Sequence, residues 1–65
     1  MRKLHEIRKE KNISQQELAD MIGVNQGCIS MYENGQRSPR LEIAAKIAAA
    51  LGVTVDDLIG EKKAV

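Results

Sequence analysis

Between Asn25 and Arg40 the chain gathers uncharged hydrogen-bonding side chains next to two arginines: Asn25, Gln26, Ser30 and Asn34, then Gln36, Arg37 and Arg40. A glutamine amide offers a donor and an acceptor in one plane, matching the N6 and N7 edge of adenine; a serine hydroxyl can give or take a hydrogen bond at a base edge. Met31 adds a flexible apolar side chain able to lie against a thymine methyl, or to pack within the protein. Gly27, lacking a side chain, contributes only close backbone approach. Arg37 and Arg40 are surface charges suited to phosphate oxygens, contacts that position a protein on a duplex without reading its sequence.

Other chemistries lack their residues. No pair of acids stands in an apolar run, no nucleophile has a base at a meaningful spacing, and no phosphate-binding loop is present, so no catalytic residue is assigned and nothing points to an enzyme. His5 and Cys28 are the only soft ligands, too few for a metal site, and no cofactor or small-molecule ligand is implied. His5, in a basic segment, reads as a surface residue. Cys28, the single cysteine, rules out an internal disulfide and reads as a small packing residue. No apolar run reaches membrane-spanning length and no export signal opens the chain, so with an unpaired thiol the cytoplasm is the expected location. Net charge is only +1. Its distribution is uneven, with cations concentrated in residues 1–11 and again at Arg37 and Arg40.

The elements that must carry these side chains can be read from spacing. Sixty-five residues make one domain, expected over residues 1–60 with a tail at 61–65. The apolar residues are aliphatic and alanine-rich, Tyr32 being the only aromatic, which suits packed helices over a sheet. Leu4 and Ile7 mark one face of a first helix, with Asn12 as its left-handed stop. Ser14 and Glu17 form a capping box for a second helix whose inner face is Leu18, Ala19 and Ile22. Gly23 ends it in a left-handed turn that glycine adopts without a Cβ clash, and Val24 plugs the turn. Asn25 caps a third helix with Ile29 and Tyr32 inside, ended by Asn34-Gly35. Ser38-Pro39 is expected to open a fourth helix with proline in its first turn, carried by Leu41, Ala44, Ile47, Ala48 and Leu51 and closed by Gly52. Thr54 and Asp57 cap a short fifth helix through Leu58 and Ile59, stopped by Gly60.

The small Ala19 and the tight Gly23-Val24 turn predict a steep crossing of helices two and three. The third helix then stands out as a ridge presenting Asn25, Gln26, Gly27, Ser30, Met31 and Asn34, in a form able to enter a major groove. The run Ser14-Gln15-Gln16-Glu17-Leu18-Ala19, Gly23-Val24-Asn25-Gln26, Ile29-Ser30 and Glu33-Asn34-Gly35 resembles the helix-turn-helix of the phage Cro and repressor family. Leu41-Glu42, Lys46-Ile47-Ala48, Ala50-Leu51-Gly52-Val53 and Leu58 are similar to the rest of that domain. The resemblance covers about Leu4 to Ile59 and implies an all-α, compact five-helix fold of the lambda-repressor type. It implies base contacts at Gln26, Gly27, Ser30 and Met31, with Gln26 the principal reader, although Gly27 and Met31 stand where relatives often carry polar or basic readers. Backbone contacts are implied at Gln15, Asn25, Asn34, Gln36, Arg37 and Arg40, with Gln15 also buttressing the third helix. Arg8 and Glu33 match a structural ion pair between helices one and three.

These observations lead to an expected sequence-specific regulator of transcription, a repressor by preference, whose partners are double-stranded DNA and a second copy of the chain, with no membrane. The homodimer interface is expected near Val53, Val55, Leu58, Ile59 and the C-terminal tail, residues that equally well complete the core. An antitoxin or other protein-interaction module on the same scaffold, and a DNA-binding fragment of a longer regulator, are the alternatives.

Overall fold

The computed structural model describes residue 1 and residues 3–60. Arg2 and the tail expected at 61–65 lie outside the described residues. Five helices follow one another: α1 (Leu4–Glu10), α2 (Gln15–Ile22), α3 (Gln26–Asn34), α4 (Leu41–Leu51) and α5 (Val55–Ile59), with no strand among the described residues. The expected all-α, five-helix architecture is therefore the observed one. None of these helices is long and apolar enough to cross a membrane.

Local signals set the helix ends. The Ser14 hydroxyl accepts from the Glu17 amide at 3.0 Å while the Glu17 carboxylate accepts from the Ser14 amide at 2.9 Å, so both halves of the capping box are made. Those bonds, from the Ser14 backbone first and its side chain second, hold the Glu17 carboxyl below its ordinary value. Thr54 and Asp57 repeat the device at α5, and the Asn25 side chain accepts from the Cys28 amide at 3.1 Å to open α3. Among the described residues Asn12 is the one non-glycine residue with positive φ, at 58°, and it turns the chain out of α1 as expected.

The core is a layer of Leu4, Leu18, Ala19, Ile22, Ile29, Tyr32, Ile47, Ala48, Leu51 and Leu58, all buried. Val24 packs against its edge from the α2–α3 turn. Helix α2 packs most closely on α3 and next on α4. The start of α1 is tied down twice: the Met1 ammonium donates to the Tyr32 carbonyl at 3.0 Å, and the Lys3 amide donates to that of Leu58 at 2.8 Å.

Two expectations about α4 are corrected. The helix does not begin at Pro39: residues 38–40 are non-helical, Arg40 is extended at φ −63° and ψ 157°, and its carbonyl accepts the first helical bond from Ala44 at 2.8 Å. Proline keeps Ser38 out of the helical region, and an extended run reaches further between α3 and α4 than a helical turn does. Leu41 is not an inward residue either; it is 79% exposed. Ala44, Ile47, Ala48 and Leu51 point inward, but at the first helical position the apolar stripe has run past the core.

Candidate nucleic-acid interface

The face that α3 leaves outside is set by its two anchors. Ile29 and Tyr32 are buried and fix the helix by rotation. At 3.6 residues per turn, Gln26, Gly27, Ser30, Met31 and Asn34 then spread over about 140° of circumference opposite them. Gln26, Gly27, Asn25 and Asn34 are exposed; Ser30 and Met31 are half-buried at the flank. The Asn25 side-chain oxygen accepts at its cap, and its amide NH2 is left for a partner. The turn into this helix depends on Gly23, at φ +78° with no atom near the position a Cβ would take. The left-handed backbone, not lack of space, therefore demands glycine there.

Behind this face lies a hydrogen-bonded chain of side chains. Arg8, 7% exposed, donates through Nε to Glu33 Oε2 at 2.6 Å and through Nη2 to Oε1 at 3.3 Å, while its Nη1 donates to the Ile13 carbonyl at 2.8 Å. Gln15 Nε2 donates to the same Glu33 Oε1 at 2.9 Å. Gln26 Nε2 in turn donates to Gln15 Oε1. The ion pair is thus joined to the exposed glutamine of α3 through the first residue of α2. Burial pushes the Glu33 carboxyl up, but hydrogen bonds from Arg8, Gln15 and His5 and the Arg8 charge outweigh it and hold the group below its ordinary value. A depressed native pKa stabilises the fold above the unfolded-state value of about 4.3, and that stability is lost as pH falls through the native one.

With Oε1 taken by Gln26 and one Nε2 hydrogen taken by Glu33, Gln15 retains one amide hydrogen for an outside acceptor. The chain after α3 brings Arg37 and Arg40 to one open cleft of 380 Å³, with Val24, Tyr32, Ser38, Glu42 and Ile43. Gln36, Arg37 and Arg40 are exposed. The two arginines thus share a cleft with Tyr32 of the third helix, and Glu42 puts a countercharge in it.

His5 is the residue whose place spacing did not reveal. It is exposed, as expected of a surface residue, but its Nδ1 lies 3.2 Å from Glu33 Oε1 and 3.2 Å from Arg8 Nη2. The available signal was its position three residues before Arg8, on the same face of α1.

A family model described as helix-turn-helix matches residues 4–58, the whole span from the first core leucine to the last. The chain belongs to the helix-turn-helix family. As a helix-turn-helix protein it is similar to the transcriptional regulator AnsR of Bacillus subtilis, at 41% identity over 94% of this chain and 53% of that one. It is also similar to the cryptic phage CTXphi transcriptional repressor RstR of Vibrio cholerae, at 34% identity over 94% of this chain and 55% of that one. The chain spans about half the length of these curated relatives. Among solved structures, a transcriptional regulator from Listeria innocua shares the fold with a TM-score of 0.80 at 22% identity, covering 95% of this chain and 58% of that one.

Proposed function

We propose that this helix-turn-helix chain is a non-enzymatic, cytoplasmic regulator of transcription, a repressor that reads double-stranded DNA by placing α3 in the major groove. The observation that carries this reading is the braced, uncharged outer face of α3, with Gln26 hydrogen-bonded to Gln15 and exposed beyond it. In this reading Gln26 and Ser30 contact base edges, Met31 lies against a thymine methyl, and Gly27 lets the backbone come close. Gln15, Asn25, Asn34, Gln36, Arg37 and Arg40 take the phosphates on either side. The names of the relatives, regulators and a phage repressor, support the same assignment.

One such helix covers only a few base pairs, so useful specificity needs two half-sites about one helical turn apart and hence a homodimer. Leu58 is fully buried in the core and is removed from the expected interface. Half-buried Val55 and Ile59 keep their place and exposed Leu41 joins them, since with Met1, Pro39 and Ala44 they border an open apolar groove of 490 Å³.

Selection of bound sequences from random duplexes at two salt concentrations tests the proposal. The expected result is a short palindrome whose affinity falls steeply with salt, as counterion release requires. Binding that is indifferent to both sequence and salt would overturn it, and capture of a stoichiometric protein partner instead would favour the interaction-module reading.

A further inference from the structure

Tyr32 is 6% exposed and packs in the core, yet it also lines the open cleft that holds Arg37 and Arg40. Its backbone carbonyl accepts from the Met1 ammonium, but its hydroxyl makes no hydrogen bond among the described residues. No side-chain nitrogen or oxygen is buried there without a partner. The hydroxyl is therefore not sealed inside; the small part of Tyr32 that solvent reaches includes this oxygen, at the cleft. A tyrosine buried to this degree ordinarily finds a partner for its O–H, and here the fold leaves that place open. The cations beside it are brought in by the backbone. The amides of Gln36 and Arg37 donate to the Met31 carbonyl at 3.0 and 3.4 Å, which folds the loop back onto the last turn of α3, and Arg40 is the N-cap of α4. Neither guanidinium is in an ion pair among the described residues. Glu42 stands in the first turn of α4, where the helix N-terminus favours its charge.

We propose that Tyr32 is a further contact to the DNA backbone, its hydroxyl donating to a phosphate that Arg37 and Arg40 attract by charge. The inference rests on the reading of this chain as a DNA binder. Two unpaired guanidiniums and a free phenol are donors that a phosphate oxygen can accept from together. The three differ in what holding the phosphate costs them. Arg37 and Arg40 are exposed, on long side chains that lose rotamer freedom when they bind. The Tyr32 ring is already fixed by the core, so its hydroxyl donates with little further ordering. It also belongs to α3 itself, six residues and so about 9 Å along the axis from Gln26. A phosphate seated on it therefore fixes the depth of α3 in the groove, which arginines on a loop cannot do as firmly. The hydroxyl carries no charge, so it adds affinity without adding to the salt dependence.

Tyr32→Phe tests this, because it keeps the ring in the core and removes only the hydroxyl. Thermal unfolding is expected to match the parent, since no bond within the protein is lost. Affinity should fall about tenfold per half-site, the factor of one hydrogen bond to a charged group, and equally for all duplexes. Base preference and salt slope should keep their parent values, whereas Arg37→Ala flattens the slope. A set of duplexes, each with one backbone phosphate replaced by a neutral methylphosphonate, then locates the contact: on one of them the parent and Tyr32→Phe should bind nearly alike. Parent affinity in Tyr32→Phe, or a loss of the same size on every methylphosphonate duplex, would overturn the proposal. So would Tyr32 ring signals, followed by NMR, that shift with inorganic phosphate but not with the duplex, because the cleft would then be a small-anion site. If Gln26→Ala loses its base preference while Tyr32→Phe binds like the parent, only the Tyr32 contact falls; if the parent binds no duplex, the DNA reading falls with it.

Discussion

At the scale of single residues, the exposed and the buried polar side chains have separable effects. Gln26→Ala should abolish preference at one base pair of each half-site at a cost of about 1–3 kcal/mol, measured by competition between duplexes differing there. Arg37→Ala should weaken binding to every duplex to the same degree and flatten the salt dependence, since a phosphate contact carries no sequence information. Identical behaviour of both variants and the parent would remove these residues from the interface. Arg8 acts elsewhere. Its side chain is 9% exposed and that of Glu33 5%, so Arg8→Ala leaves a carboxylate buried without its partner, a loss of about 3–5 kcal/mol in urea unfolding. For a domain this small that approaches its whole stability. Replacing both members with apolar residues, Arg8→Met with Glu33→Leu, should recover most of the loss while leaving Gln15 without its acceptor. The double variant therefore separates folding from base reading.

At the scale of elements, the second and third helices are held by their ends as much as by their faces. Ser14→Ala removes one half of a completed capping box and should cost about 1 kcal/mol. Gly23→Ala meets no steric obstacle but forces a side chain into the left-handed region, for about 1–2 kcal/mol. Thermal unfolding reads both, and the two differ in a second respect. The loss from Ser14→Ala falls on the start of α2, next to Gln15, whereas strain at residue 23 is relieved by changing the angle at which α3 leaves α2. Gly23→Ala should accordingly reduce DNA affinity by more than its stability loss predicts at temperatures where the protein remains folded.

At the scale of the whole molecule, the proposed homodimer has its test in the apolar groove beside α4. Leu41, 79% exposed at the start of α4, sits at the rim of the apolar groove with Val55 and Ile59. Leu41→Lys should shift sedimentation toward the monomer and lower affinity for a two-half-site duplex far more than for a single half-site; an unchanged mass would place the interface elsewhere. The boundary between sequence and structure runs along the same lines. The caps at Ser14, Asn25 and Thr54, the turns at Asn12 and Gly23 and the buried set from Leu4 to Leu51 could all be read from the chain, because capping and helical periodicity are local and act within a turn or two. The outer face of α3 followed from its buried anchors for the same reason, and the Arg8–Glu33 pair from family resemblance. Non-local matters were decided by packing alone. Leu41 keeps the period of α4 yet lies beyond its neighbours' reach, Leu58 is taken by the core and lost to any interface, and the start of α4 depends on the distance its connection must span. His5 shows the difference most sharply: its type and spacing are those of a surface residue, and only the approach of α3 to α1 places its ring between a guanidinium and a carboxylate.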